Sequence, residues 1–402
     1  MLKDLLLNKI FNEYQSSNIA FCVHEEQVTY KQFSNIVLKI ISVLESNPDK
    51  LIGLYVTDEV ETYSSIIALW CVGKGYVPLS PNQPIERHRE IIESIGLKYI
   101  LTTDPLYNAG IVDLDYINTT DEIDSDYELN IADVSDDEIA YVLFTSGSTG
   151  KPKGVQITRG NVAALIDSMN KIGLDIMSED RCLQPFDLTF DFSVSSYVIP
   201  LAKGASIYTI PNKAVKFTYI AQLLDEHHLT VLQMVPSMIR NLLPYLNEVD
   251  LSSVRYNILC GEALTGKVIK GWHQANPRMI SYNMYGPTED TVFCTYYKVD
   301  KSNISNLLAV NDIISIGKNL DNCGQLIVDD YDNIISEPNQ VGELCLYGDQ
   351  LSPGYWQNDK ENSDKFFNIN GERFYRTGDL CHFTEDGNIM FVGRKDFQVK
   401  IN

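Results

Sequence analysis

The chain has 402 residues, beyond the size at which a single hydrophobic core stops growing, so two or three packed units are expected. Hydrophobic residues make up 44%, enough for a large core, while 32 basic against 54 acidic residues give a net charge of −22. So acidic a surface repels nucleic acid and anionic membranes, which excludes both as expected partners and leaves any anionic ligand to local lysines, arginines and backbone amides.

The N-terminal stretch MLKDLLLNKIFNEYQ sets Leu2, Leu5, Leu6 and Ile10 between charges, which predicts an amphipathic helix and not a signal peptide. LIGLYV (51–56) predicts a buried strand, ETYSSIIALWCVGKG a helix closed by Gly73 and Gly75, and KYILTTD a strand ending at Asp104. Such alternation predicts a mostly parallel sheet with helices on both faces. The longest apolar run, Ile66 to Val72, is too short to span a bilayer. Between residues 105 and 140 the rhythm breaks: nine Asp or Glu fall from Asp121 to Glu138 without one Lys or Arg, the pattern of a surface connection or an edge hairpin.

YVLFTSGSTGKPKGV (141–155) follows. Tyr141 to Phe144 predict a short strand entering a sheet. Thr145, Ser146, Gly147, Ser148, Thr149 and Gly150 offer hydroxyls, free amides and glycines that admit a ligand close to the backbone, and Lys151 and Lys153 add positive charge. Those are the needs of a phosphate-holding loop. The common nucleotide loop G-x-x-x-x-G-K-[ST] does not fit, because Thr145 and Pro152 stand where Gly and Ser or Thr are required. A flexible Gly/Ser linker is the alternative, but a linker has little reason to follow a buried strand or to flank a proline with two lysines.

After the loop, NVAALIDSMNKIG predicts a helix with Asn161 as N-cap, LTVLQMVP and YNILCGE strands, ALTGKVIKGWHQAN a helix, and MISYNMYGPTED a strand running into a turn. His227 and His228 cap or flank a helix. From about Asn303, short strands with frequent turns (ISIGK, GQLIVDD, GELCLYG, RFYRTGD, NIMFVGR) predict a small β-rich unit. The eight cysteines lie far apart with no C-x-x-C pair, which fits reduced, buried thiols in a cytoplasmic protein better than disulfides or a zinc site.

Polar groups recur at predicted strand ends. NMYGPTED gives Tyr285, Gly286, Thr288 and Glu289 in one turn, an aromatic face, a hydroxyl and a carboxylate suited to a base, a phosphate and Mg²⁺. YRTGDL ends in Asp379, able to take two ribose hydroxyls, and VGRKD gives Arg394. FDFSVSSY sets Asp191 in an apolar stretch, where a buried carboxylate is costly unless it meets a cation. Singly these are also ordinary turn or helix-end residues.

In order, T-S-G-S-T-G-K-P-K-G, F-D-x-S, Y-G-P-T-E, Y-R-T-G-D and G-R-x-D-x-Q-V-K-I, preceded by GKGYVPLSPNQPIER, resemble the adenylate-forming superfamily. Within it the chain is most similar to amino-acid adenylation domains of nonribosomal peptide synthetases and to D-alanine:carrier-protein ligases. The resemblance implies an α/β fold of two αβαβα-type layered sheet subdomains (about 1–302) and a small β-barrel-like subdomain (about 303–396), with 397–402 as a hinge stub. It implies ATP and Mg²⁺ as cofactors, and an amino acid and a phosphopantetheinyl carrier protein as partners. Residues 145 to 153 would be a mobile loop over the β- and γ-phosphates, with Thr145 and Lys153 catalytic together with Thr288 and Glu289. Tyr285 would stack on adenine, beside Gly286 and the backbone near Gly261, Glu262 and Asn283. Thr288 would touch the α-phosphate, Glu289 would hold Mg²⁺, and Asp379 would bind the ribose with Arg394 beside it. Asp191 would pair with the substrate α-ammonium. A substrate carboxylate then attacks the α-phosphorus and expels pyrophosphate, work of positioning and charge stabilisation that needs no protein nucleophile.

By similarity of position, Asp191, Phe192, Ser195, Gln233, Ile258, Cys260, Met284, Val292 and Phe293 line the substrate pocket. The set is neutral apart from Asp191, which argues against charged side chains. Ser195 and Gln233 could hydrogen-bond a small polar group, so a small neutral amino acid is expected, threonine-like first and alanine second. The competing readings are an acyl- or aryl-CoA ligase of the same fold, which would not need Asp191, and a silent ATP- or amino-acid-binding module. The family continues past G-R-K-D-F-Q-V-K-I into a mobile domain of about a hundred residues that carries a bridging lysine. The chain ends at Asn402, so it is expected to bind both substrates, to adenylate slowly and not to load a carrier.

Overall fold

The computed structural model describes residues 1–13, 16–120, 129–146 and 152–395. Three sheets carry the fold. The first has seven strands in the order Gly354–Tyr355, Pro152–Thr158, Ile139–Ser146, Gly75–Leu79, Leu51–Tyr55, Tyr99–Thr102 and Asp115–Asn118. It is parallel from Ile139–Ser146 onward, as the strand–helix alternation predicts. The second has nine strands, with Ile280–Tyr285, Tyr256–Leu259, Val231–Met234, Arg181–Gln184, Ser206–Thr209 and Ile19–Val23 forming its parallel centre. The third is a five-stranded antiparallel sheet built on the long strand Glu372–Phe383, which pairs with Gly342–Gly348, Phe366–Ile369 and Ile389–Arg394.

One core fills the space between the two large sheets. In the helix Val60–Cys71 every residue except Glu61 is buried, the pattern of a helix enclosed on all sides. The layers are also joined by hydrogen bonds: Trp70 Nε1 donates to the Ala140 carbonyl at 2.9 Å, and the Tyr76 and Tyr197 hydroxyls meet at 2.9 Å. The N-terminal segment turns through Lys3–Leu7 into the helix Asn8–Asn12 and buries Leu2, Leu6, Leu7 and Ile10 in the same core. The short strand Gly354–Tyr355 leaves the β-rich part to pair with Pro152–Thr158, which ties the third sheet to the first.

Four local expectations change. Thr158, not Asn161, caps the helix Arg159–Lys171; Asn161 is its reciprocal partner three residues on, so both residues satisfy end groups. Gly73 closes the helix Val60–Cys71 at φ +73°, but Gly75 already begins the next strand. The 105–140 region contains Asp115–Asn118, a parallel edge strand and not a hairpin; most of its acidic run lies outside the described residues. The residues after the Gly/Ser stretch form the strand Pro152–Thr158, so Ile139–Ser146 and Pro152–Thr158 make an antiparallel hairpin.

All eight cysteines are buried and free. His228 is the left-handed C-cap of the helix Lys216–His227, as expected for the paired histidines. Among the described residues no helix is long and apolar enough to cross a membrane.

Candidate active site

In parallel sheets, side chains beyond the carboxyl ends of the strands face a common crevice. Here the ends of Tyr256–Leu259 and Ile280–Tyr285 supply Cys260, Gly261, Glu262, Tyr285 and Gly286, while Ile139–Ser146 ends at the Gly/Ser loop. The third sheet brings Asp379 and Arg394 to the same crevice as cross-strand partners.

A cleft of about 560 Å³ is lined by Gly261, Glu262, Asn283, Met284, Tyr285, Asp379 and Arg394 on its polar side and by Ile313, Ile314, Ile316 and Phe391 on its apolar side. Asp379 is buried, and both of its oxygens are engaged: the Tyr285 hydroxyl donates to Oδ2 at 2.5 Å and Arg394 Nη1 to Oδ1 at 2.9 Å. Burial and the nearby Asp379 carboxylate push the Tyr285 phenol well above its ordinary range, so it stays a donor. The turn bearing Asp379 is fastened to the neighbouring strand. Thr377 Oγ1 donates to the Leu344 carbonyl at 2.7 Å and the Gly378 amide to Glu343 Oε1 at 3.1 Å. Gly378 sits at φ +74°, and a Cβ there would approach Arg394 Nη2 to 3.0 Å, so glycine leaves room for the guanidinium. The Glu262 carboxylate accepts from the Ser237 amide at 2.9 Å and hydroxyl at 2.6 Å. Asn283 Nδ2 donates to the Ser315 carbonyl at 2.8 Å.

Beside this cleft, Thr288, Glu289 and Asp290 form one short turn of helix. Tyr355 donates its hydroxyl to Glu289 Oε1 at 2.5 Å, and Lys153 lies over the Tyr355 ring at 5.7 Å. Lys153 is also ion-paired with Glu361 from the helix Asp359–Lys365, so this loop lysine already has a counter-charge. Thr145 stands opposite Lys153 in the hairpin register. Among the predicted loop residues, Gly147 to Lys151 and the Ser146 side chain lie outside the described residues, as does the predicted hinge segment 397–402.

Most of the residues predicted to line a substrate pocket are part of the large buried core. Phe192, Ile258, Cys260, Met284, Val292 and Phe293 share one buried cluster. The Phe192 and Phe293 rings meet edge to face at 5.2 Å, and Phe186 stacks on Phe192 at 4.2 Å. Ser195 and Gln233 are fully buried and bond to each other, Ser195 Oγ to Gln233 Oε1 at 2.8 Å and Gln233 Nε2 to the Ser195 carbonyl at 3.3 Å. Cys260 lies one residue past its strand. Asp191 is half-buried, not buried, and stands at the N-cap of the helix Phe192–Ala202, where the helix dipole favours a negative charge.

The family model for AMP-binding enzymes matches residues 11–356. This chain belongs to the AMP-binding enzyme family. It is 31% identical to a component of the linear gramicidin synthase of Brevibacillus parabrevis over 99% of its own length, which is 8% of that protein. It is also 31% identical to zwittermicin A synthase ZmaJ of Bacillus cereus, over 98% of this chain and 78% of that one. Among solved structures, PA1221, a nonribosomal peptide synthetase protein containing adenylation and PCP domains, superposes with a TM-score of 0.85 at 25% identity, covering 100% of this chain and 82% of that one. The similarity to nonribosomal-peptide-synthetase adenylation domains, which are ligases, therefore runs the length of this AMP-binding enzyme. It spans only a small fraction of the much longer gramicidin synthase protein.

Several site residues of this AMP-binding enzyme carry no motif of their own. Tyr355, Glu361, Glu343 and Gln350 reach the site from strands, a helix and a loop far in sequence from the residues they hold. Tyr141 reads in the sequence as one more residue of an apolar strand. Its hydroxyl is buried without a hydrogen-bond partner among the described residues, in the field of Asp191. Only proximity in the fold reveals these roles; the alternation of the Tyr141 strand gives no hint that one of its residues faces a carboxylate.

Proposed function

We propose that the chain activates a small neutral α-amino acid, threonine-like first and alanine second, as its aminoacyl-AMP. What supports this reading is Asp191 at the N-cap of the helix Phe192–Ala202, in a set whose other eight residues are uncharged and buried: one carboxylate for an α-ammonium, and apolar packing for a small side chain. Asp191 orients the amino acid so that its carboxylate attacks the α-phosphorus of ATP in line. The new carbonyl–O–P bond forms as the bond to pyrophosphate breaks. Tyr285 and Gly286 bound the adenine side of the cleft, Asp379 takes the ribose hydroxyls beside Arg394, and Thr288 meets the α-phosphate. Thr145 and Lys153, with the loop Ser146 to Lys151, hold the outer phosphates, so Lys153 exchanges Glu361 for phosphate oxygens.

Mg²⁺ fits the donor set. Glu289 is a single carboxylate beside the loop, and no cluster of three ligating side chains occurs among the described residues, which is the arrangement Mg²⁺ takes when substrate phosphates and water supply the rest. When bound it neutralises charge on the phosphates. Residues 1–396 act as the adenylation core in this reading, and 397–402 as a hinge segment. The aminoacyl group passes to the phosphopantetheine thiol of a carrier protein, in keeping with the adenylation–PCP architecture of PA1221. Eight buried free thiols suit a reducing, cytoplasmic setting.

The test is amino-acid-dependent ATP–pyrophosphate exchange by the protein in its full-length form against a panel of L- and D-amino acids. Exchange with one small neutral amino acid, abolished in Asp191→Ala, is the expected result. Exchange only with acids lacking an α-amino group would move the protein to the acyl- or aryl-ligases and overturn the role of Asp191.

A further inference from the structure

The wall residues Val292 and Phe293 sit on an unusual backbone. Thr291 and Val292 are consecutive β-branched residues at φ +50° and +73°, the left-handed region that such side chains avoid. The turn folds back tightly on the strand end before it. A Cβ at Gly286 would come within 2.5 Å of the Val292 carbonyl oxygen and 2.8 Å of Phe293 Cα, so only glycine permits this approach. The Cys294 amide closes the turn by donating to the Tyr285 carbonyl at 2.8 Å.

Inside the turn the Phe293 amide donates to the Thr291 carbonyl at 2.9 Å, and from outside the loop at 348–352 holds it. Gln350 is fully buried, and its Nε2 donates to the Phe293 carbonyl at 2.6 Å, with the Asp290 and Thr291 carbonyls each at 3.4 Å. Thr291 Oγ1 returns a bond to the Gln350 carbonyl at 2.6 Å. Two residues on, the Ser352 amide donates to the Glu289 carbonyl at 2.9 Å, so one loop grips both ends of the turn. The loop is itself anchored: Asn161 Nδ2 donates to the Asp349 and Leu351 carbonyls at 2.7 and 3.2 Å.

We propose that Gln350 is a positioning residue for substrate choice: its amide holds the Thr291–Phe293 turn in its left-handed form and thereby fixes where Val292 and Phe293 stand in the pocket wall. The inference rests on the amino-acid reading above. Without the amide donors the Phe293 and Asp290 carbonyls lose this partner, the Thr291 carbonyl keeps the Phe293 amide, and the backbone relaxes toward ordinary dihedrals to find other donors. The wall then shifts, and the pocket discriminates less sharply among side chains. The nucleotide cleft, which Gln350 does not line, is left as it was.

The experiment measures calorimetric Kd values of the full chain for a panel of unreactive adenylate mimics, the glycyl, alanyl, threonyl, leucyl and phenylalanyl sulfamoyl adenosines. Adenosine 5′-sulfamate, which has no aminoacyl group, is the reference. Gln350→Met keeps most of the volume but has no N–H donor, and Gln350→Ala removes both. In both variants the spread of Kd across the panel is expected to narrow by about tenfold or to change rank, the scale at which pockets distinguish neighbouring side chains. The Kd for adenosine 5′-sulfamate stays within about twofold of wild type. An unchanged spread and rank in Gln350→Met, or equal weakening of every probe including the sulfamate, would overturn the assignment. A wild-type chain that binds every aminoacyl probe no better than the sulfamate fails differently: that result removes the amino-acid reading itself.

Discussion

In the open cleft, Asp379 meets Arg394 and the Tyr285 hydroxyl, and a second carboxylate, Glu343, secures the turn it stands on. Elsewhere in the core, Phe192 from the helix Phe192–Ala202, Met284 from the strand Ile280–Tyr285 and Val292 and Phe293 from the turn after it meet mainly other buried side chains, and the polar pair Ser195–Gln233 is satisfied internally. The first region is held by charge and hydrogen bonds reaching in from another sheet; the second is held by packing around a turn in a strained conformation. The first can lose a ligand contact without losing the fold, because it borders an open cleft and Arg394 is partly exposed there. The second has no such independence. A side chain removed from it leaves a void in the main core as well as a changed pocket.

The sharpest way to break this comparison is Phe293→Ala. It is expected to cost about 3–5 kcal/mol in denaturant unfolding, because a fully buried ring leaves a cavity, and to weaken discrimination among aminoacyl probes. A loss of discrimination with stability intact would mean that the wall is not part of the core in energetic terms. Next comes Asp379→Ala, which leaves Arg394 and Tyr285 without their shared acceptor. Nucleotide binding is expected to weaken by about 2–3 kcal/mol, tens- to hundredfold in Kd, with the ranking of aminoacyl side chains preserved. A re-ordered ranking would show that the two regions are coupled.

A pH series addresses the strand the two regions share. His273 is buried, its Nε2 is 2.9 Å from the Ser281 hydroxyl on the strand Ile280–Tyr285, and burial lowers its pKa to about 4, with Asp300 opposing. The folded state therefore takes up this proton less readily than the unfolded chain, whose histidine keeps its ordinary value of 6.5. The penalty is absent above pH 6.5 and grows as pH falls from there toward 4. Thermal midpoints should fall over that interval, less steeply in His273→Gln, and binding to both regions should fade together. The smallest effect belongs to Tyr355→Phe, which removes one hydrogen bond to Glu289. About 0.5–1.5 kcal/mol of Mg²⁺-dependent ATP affinity should be lost, with Mg²⁺-free adenosine binding unchanged.

The sequence reached the layered α/β order and the β-rich sheet, and it singled out polar groups at strand ends, because these are local patterns. It missed the strand Pro152–Thr158, since proline and glycine at its start mask the β signal. It named Asn161 as a cap because both members of a capping box are cap-forming residues, and only the backbone shows which one comes first. Asp191 stood out as a carboxylate in an apolar stretch, whereas the neutral set around it came from the resemblance to adenylation domains. What the sequence could not give was the company these residues keep. Gln350 on the Thr291–Phe293 turn, Glu361 on Lys153 and Tyr355 on Glu289 are pairs separated by 57 to 208 positions. Side-chain identity and short-range periodicity determined which groups this protein has to work with. The packing of three sheets decided which of them are bonded to one another, because hydrogen bonds and ion pairs depend on distances in space that no local pattern encodes.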